Sequence, residues 1–381
     1  MHIALCGPAT LSLLEPELGL RFPTAGYAFP GTSALALKYL KAGHKVTVIT
    51  TANDLDQTYT SPEAALTVVV HPSRHRARDR SVDFFRRERV LIERSIRTRD
   101  VDVVHAHWTY EFGLAGRSSR KPCLVTVHDW APAIVRRNRH LYWFLRAAMQ
   151  VRCLSYRGPL SAPSLYIVER VEKFYRKRCE LIPNGIDLSF FPTHTRKHPN
   201  TVAMLNVGFS SLKNVSAALI AWPSILEQVP DAKLLLAGPG YELNGDAYRW
   251  AEERGLLKNV EFIGSLNPAE VPRWLSSKSV FLHTSLEESF GLAVVEALAA
   301  GTPVVAGSYS GAIAEVTQGS AILTDVSDTR CISQSVLNLL ADEKLRKKHR
   351  SAGLIAAERF ELDAISDRYL ALLAKLSVAS N

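Results

Sequence analysis

Short, β-branched apolar runs alternate with helix-forming stretches along almost the whole chain, and this rhythm belongs to parallel sheets covered on both faces. The first half carries HIALCG (2–7), KVTVIT (45–50), LTVVV (66–70), VDVVHAH (101–107), CLVTVHD (123–129) and CELIPNG (179–185). The second half repeats the pattern with TVAMLNVG (201–208), AKLLLAGPG (232–240), VEFIGS (260–265), SVFLHTS (279–285) and TPVVAG (302–307). A chain of 381 residues exceeds a usual single core. Two doubly wound α/β, Rossmann-like domains in tandem are therefore expected. Polar and turn residues in NGIDLSFFPTHTRKHPN (184–200) interrupt the rhythm. The expected division is 1–185, 186–361 and a final amphipathic helix within 362–381.

Charge separates the same two halves. Residues 1–190 hold 28 of the 46 Lys and Arg and 17 of the 37 Asp and Glu, which is +11; the remainder holds 18 against 20, which is −2. In the basic half, HPSRHRARDR (71–80), FFRRERVLIERSIRTR (84–99) and VRRNRHLYWFLRAAMQVRCLSYR (135–157) mix arginine with aromatic and aliphatic residues. Such segments suit an anionic membrane surface or a phosphate-bearing acceptor, and they equally suit solvated helix faces. No nucleic-acid-binding motif accompanies the charge, so nucleic acid is not expected as a partner. No apolar run approaches bilayer length, and MHIALCGP reads as a first strand with no signal peptide. Five scattered cysteines without CxxC pairs argue for a reducing compartment and against structural zinc. A cytoplasmic protein, peripheral at most on the inner face of the plasma membrane, is the expectation.

The stretch EESFGLAVVEALAAGTPVVAGSYSGA (287–312) carries the chemistry most openly. Good helix formers fill 292–300, Gly301 terminates them, and Pro303 precedes another apolar run. With SVFLHTS ahead of it, the whole reads as strand, loop, helix, strand, and Glu288 falls in the loop beyond a strand's carboxyl end. Open parallel sheets bind ligands at that edge. The N–H groups of Phe290, Gly291 and Leu292 stand at the helix start without intrahelical partners, and Gly291 permits close approach, so a diphosphate fits there. Glu296, one turn further in, could reach the rim and accept two hydroxyl donors, as vicinal sugar hydroxyls would offer.

Glu288-Ser-Phe-Gly-Leu-Ala-Val-Val-Glu296 resembles the paired glutamates of the family 4 glycosyltransferases, the glycosyl transferases group 1. Supporting matches follow in order along nearly the whole chain: GHKVTVIT, VDVVHAHW, TVHD, IPNGID, the pair Lys213-Asn214, and AGTPVVA. The resemblance implies a GT-B fold, two Rossmann-like domains facing a cleft, with the C-terminal helix returning to the first. It also implies an N-terminal acceptor domain, a C-terminal nucleotide-sugar domain, and retaining transfer to a saccharide or lipid-linked acceptor in cell-surface polysaccharide or glycoconjugate synthesis. Residue by residue, Glu296 matches the acid that binds the nucleotide ribose. Glu288 matches the acid beside the donor sugar, with Ser289, Phe290, Gly291 and Leu292 around sugar and diphosphate. Lys213 matches the lysine that neutralises the leaving diphosphate, and its compact charge suits that task. His128 matches the histidine that meets the sugar. The base is expected against backbone at Gly264, Ser265 and Leu266, and the acceptor-side loop carries Gly26, Tyr27 and His107.

Two departures stand out. Many relatives end the strand before the lysine in Gly-Arg, whereas NVGFSSLKN has Phe209, Ser210 and Ser211. Relatives often carry paired glycines in the first loop, and here Tyr27 follows Gly26. No paired-aspartate metal motif stands beside the donor strands, and the family requires no metal, so no cofactor is expected beyond the nucleotide-sugar substrate. The route to retention, front-face attack or a covalent carboxylate intermediate, stays open. Two other functions stay open as well: a non-catalytic nucleotide-sugar-binding scaffold that lost the arginine, and an epimerase on the same fold.

Overall fold

The computed structural model describes residues 1–26, 29–192 and 195–378. The chain forms two compact units, one of Met1–Gly185 with the C-terminal helix Leu362–Val378, the other of Ile186–Glu361.

In the first unit the strands are β1 (His2–Cys6), β2 (Lys45–Ala52), β3 (Tyr59–Thr60), β4 (Leu66–Pro72), β5 (Val103–His107), β6 (Cys123–Thr126), β7 (Leu160–Ala162) and β8 (Glu180–Leu181). They order as β3-β4-β2-β1-β5-β6-β7-β8, and every pairing is parallel except the β3–β4 edge. The second unit holds β9 (Thr201–Leu205), β10 (Lys233–Ala237), β11 (Val260–Gly264), β12 (Val280–His283), β13 (Val304–Gly307) and β14 (Ile322–Thr324). Their order is β11-β10-β9-β12-β13-β14, all parallel. In both sheets the chain winds outward from the first strand on one side and then returns to wind the other way. The strand order reverses at β1/β5 and at β9/β12, and the carboxyl ends beside those reversals are where such sheets bind ligands.

Central strands have no solvated face, which is why they read as continuous apolar runs. Ile3 to Cys6, Val103 to Ala106 and Val202 to Met204 are all essentially inaccessible. The observed strands are shorter than the runs: CLVTVHD pairs only through Thr126, and TVAMLNVG only through Leu205. Beyond the assigned strands, Asn206 N and Gly208 N still donate to Ala237 O at 3.1 Å and Pro239 O at 2.8 Å, which holds that segment against the end of β10, while His128 lies past the end of β6 on the carboxyl edge. Strands β3, β7 and β14, two or three residues long, do not stand out as apolar runs.

The helix Leu362–Val378 buries Leu362, Ile365, Tyr369 and Leu373 on one stripe, in a cluster with Ile3, Tyr39, Val103 and Leu124 of the first unit. Lys38 pairs with Asp363 at 2.6 Å, and Arg368 donates to the Leu181 carbonyl. Among the described residues no helix is long and apolar enough to cross a membrane.

Candidate active site

In the second unit the two loops that flank the β9/β12 reversal are tied together. Leu286 N donates to Leu212 O at 2.8 Å, and Thr284 Oγ1 donates to Lys213 O at 3.0 Å. These bonds set Lys213, beyond β9, opposite Glu288, beyond β12. Lys213 Nζ lies 2.6 Å from Glu288 Oε1, and His283 Nε2 approaches the same oxygen at 3.4 Å. Burial opposes the charge on Glu288, but the Lys213 ammonium and the His283 contact outweigh it and hold the carboxyl well below the usual carboxylate range. The pair is 25% and 14% exposed on its two side chains, so it stays reachable from solvent while lying in a region of reduced dielectric.

Glu288 is also gripped through its backbone. Ala312 N donates to Glu288 O at 2.9 Å, and Ser310 Oγ donates to Ser285 O at 2.5 Å. This closeness demands Gly311, whose φ is +61° and where a Cβ would sit 2.1 Å from Glu288 O. Gly291, at φ +88°, caps the helix Leu292–Ala299, and a Cβ there would meet Ile313 Cδ1 at 2.5 Å. The first intrahelical bonds from this end are made by Val294 and Val295 to Gly291 O, so the Gly291, Leu292 and Ala293 N–H groups have no intrahelical acceptor. Ser289 precedes this turn, and Phe290 is buried edge-on against Phe360 at 5.3 Å, anchoring the loop. Glu296 sits one turn in, partly buried, and its carboxyl accepts no hydrogen bond among the described residues; burial pushes it up to about 7.

Gly264 ends the edge strand β11 and Ser265 and Leu266 follow it, on the same carboxyl edge but two strands from the reversal. A glycine-lined wall connects the two places. Tyr241 Oη donates to Gly208 O at 3.0 Å, Gly238 N donates to Gly264 O at 2.7 Å, and a Cβ on Gly238 would collide with Asn206 O at 1.8 Å.

The first unit furnishes its own reversal with imidazoles. His107, which the resemblance grouped with the acceptor-side loop, is the last residue of β5, where the run VDVVHAH ends, and is 1% exposed because that strand is covered on both faces. Its Nδ1 lies 2.7 Å from Nε2 of His128, which stands beyond β6 and is 6% exposed. Burial lowers both rings, His107 to about 3 and His128 well below the ordinary histidine value. Neither is charged near neutrality. His105, two residues back, packs its ring 4.3 Å from that of His107. Asp129, next in sequence to His128 and partly buried, accepts from Tyr110 Oη at 2.8 Å, and desolvation pushes its carboxyl up to about 6. Gly26 is paired with Thr10 in an isolated bridge, and at φ +71° a Cβ would press on Ala9 O at 2.7 Å. Tyr27 lies outside the described residues.

Sequence reading missed His283, Thr284, Gly311 and the pairing of His107 with His128. SYSGA (308–312) held one signal: a glycine four residues beyond a strand end, where a tight backbone turn is common. His283 and Thr284 sat inside an apolar run and gave none.

Comparison with known proteins matches the description Glycosyltransferase Family 4 over residues 32–190 and Glycosyl transferases group 1 over residues 187–354. Among curated proteins, the chain is 27% identical over 197 residues to a phosphatidyl-myo-inositol mannosyltransferase of Mycobacterium leprae, covering 50% of this chain and 51% of that one. It is 28% identical over 236 residues to an alpha-monoglucosyldiacylglycerol synthase of Streptococcus pneumoniae, covering 54% and 52%. The chain spans about half the length of the curated relatives it matches. Among solved structures, sucrose-phosphate synthase of Thermosynechococcus elongatus superposes over 100% of both chains with a TM-score of 0.79 at 17% identity, a likeness of fold. With the two descriptions matched in tandem across residues 32–354, this chain belongs to glycosyltransferase family 4 and has the GT-B fold.

Proposed function

We propose that the protein transfers a hexosyl group from a nucleoside-diphosphate sugar to a hydroxyl of a saccharide or lipid-linked acceptor, with retention at the anomeric carbon. The observation that carries this reading is the Lys213–Glu288 pair at the β9/β12 reversal, beside helix-start N–H groups that have no intrahelical acceptor. As the anomeric bond breaks, negative charge collects on the leaving diphosphate. An ammonium and fixed backbone dipoles stabilise it without reorganising. In this reading Glu288 steers Lys213 and meets the donor sugar, Glu296 accepts the ribose hydroxyls, the base rests at Gly264 to Leu266, and His128 meets the sugar. Lys213 and the helix N–H groups serve in place of the arginine absent from NVGFSSLKN, and no metal takes part.

Lipid-linked acceptors are favoured by relatives named for phosphatidyl-inositol and diacylglycerol substrates. The first unit adds a surface suited to them: Val82, Leu141, Phe144 and Val151 are exposed among Arg86, Arg87 and Arg152. Synthesis of a cell-surface glycoconjugate at the inner membrane face follows from this reading.

The test is a thermal-shift panel with UDP, GDP, ADP and CMP and their sugar conjugates, with Glu296→Ala as control. A stabilising base family, lost in the variant, then directs transfer assays in which the anomeric configuration of the product is read by NMR. Inverted product would overturn retention, strong inhibition by EDTA would overturn the metal-free reading, and donor binding without transfer to any acceptor would favour a scaffold. Sedimentation with anionic liposomes at low salt checks the membrane surface, and no preference for anionic lipid removes it.

A further inference from the structure

The three histidines at the β5 and β6 ends differ in how their ring nitrogens are used. His105 is fully engaged, with Nδ1 3.1 Å from Tyr39 Oη and Nε2 2.9 Å from Thr126 Oγ1, so it offers His107 only its ring face. His107 uses Nδ1 toward His128, while its Nε2 is buried with no partner. His128 uses Nε2 toward His107, and its Nδ1 is neither bonded nor sealed from the surface.

Only one proton fits between two nitrogens 2.7 Å apart. If His128 Nε2 carried it, a neutral His107 would hold its own proton on Nε2, a buried N–H with no acceptor, which is the costly kind of orphan. With the proton on His107 Nδ1, the orphan is merely a lone pair. His128 Nε2 then accepts, and a neutral His128 must carry its proton on Nδ1. Burial keeps both rings neutral.

We infer that His107 is a positioning residue that fixes His128 as an Nδ1–H donor, aimed at a sugar oxygen rather than serving as a base. That a sugar stands there rests on the proposed transfer reaction; the tautomer itself does not. The surroundings hold the pair rigidly. Trp108 and Phe29 pack on the His128 ring with centroids 4.3 and 5.7 Å away. Trp108 adopts a left-handed φ of +67°, uncommon for so large a residue, to do so. Gly7 lies against His107, where a Cβ would approach the histidine Cβ to 3.0 Å.

The experiment is a long-range ¹H–¹⁵N correlation spectrum of the full, unliganded chain labelled at histidine, with His128→Gln to assign its signals. His128 is expected with its proton on Nδ1 and His107 likewise, each set by the bond its other nitrogen makes. In His107→Asn the side-chain amide can still donate near the Nδ1 position, and the His128 pattern persists. In His107→Leu it is lost, and turnover of the nucleotide sugar falls on the order of tenfold to a hundredfold, recovering in the Asn variant. A His128 protonated on Nε2, or a His128 pattern unchanged in His107→Leu while thermal unfolding shows that variant folded, would overturn the inference. Because the spectrum is read without substrate, failure of the transfer reading would leave its outcome unaltered.

Discussion

The two units share one winding and furnish it in opposite ways. At β9/β12 an ammonium and a carboxylate meet 2.6 Å apart, whereas at β1/β5 and the neighbouring β6 end three buried imidazoles stay neutral. Topology supplies the same crevice twice, and the residues just past the strand ends decide its character. In the proposed transfer, the charge would face the leaving diphosphate and the neutral imidazoles would face a sugar.

The largest expected difference is in acid. An unfolded histidine takes up a proton near 6.5, whereas buried His107 does so only near 3 and His71 near 4. Between those values the unfolded chain binds more protons, so the first unit loses stability as pH falls, on the order of a few kcal/mol. Asp129, pushed up to about 6, has the opposite sign and offsets part of this loss. In the second unit Glu296 ionises near 7 when folded and near 4.5 when unfolded, so it contributes stability that grows as pH drops through that window. Hydrogen exchange resolved by segment at pH 7 and pH 5 should show the first unit opening more readily and the second not. Equal loss in both would break the comparison.

Next in size, Lys213→Ala should cost about a hundredfold or more in turnover, because it removes the charge proposed to face the leaving group. Steady-state rates with the donor identified by thermal shift check this, and an unchanged rate would take Lys213 out of the reaction. Gly311→Ala should destabilise the second unit by about 1–3 kcal/mol, since both its left-handed backbone and the Glu288 carbonyl oppose a Cβ. Urea unfolding with a second-unit probe measures it, and the first unit should unfold as before. Smallest is the pH dependence of nucleotide affinity. Glu296 must ionise to accept two hydroxyls, so affinity should rise about tenfold from pH 6 to pH 8 and become flat in Glu296→Gln. Calorimetric titration at both pH values would show it; a flat wild-type profile would remove Glu296 from the ribose.

Much of the scaffold was legible because a strand buried on both faces must be apolar throughout, and the helices between strands must change the period. The place of Glu288 was legible for a local reason: a strand, a glycine and a helix start follow one another within a dozen residues. His107 closes the run VDVVHAH and ends β5, but its partner was not legible, since only the neighbouring strand brings His128 against it. Strand β7, only Leu160–Ala162, carries too few residues to show a period.

The sequence by itself determined two parallel sheets, their order of elements, and which residues follow the strand ends, because periodicity and turn chemistry act over neighbouring positions. Only the tertiary structure decided that Lys213 meets Glu288 across 75 residues, that His107 meets His128 across 21, and that Tyr369 of the last helix lies against His105. Those pairings depend on which strands lie side by side. That is settled by burying every apolar face at once, and no short stretch of sequence records it.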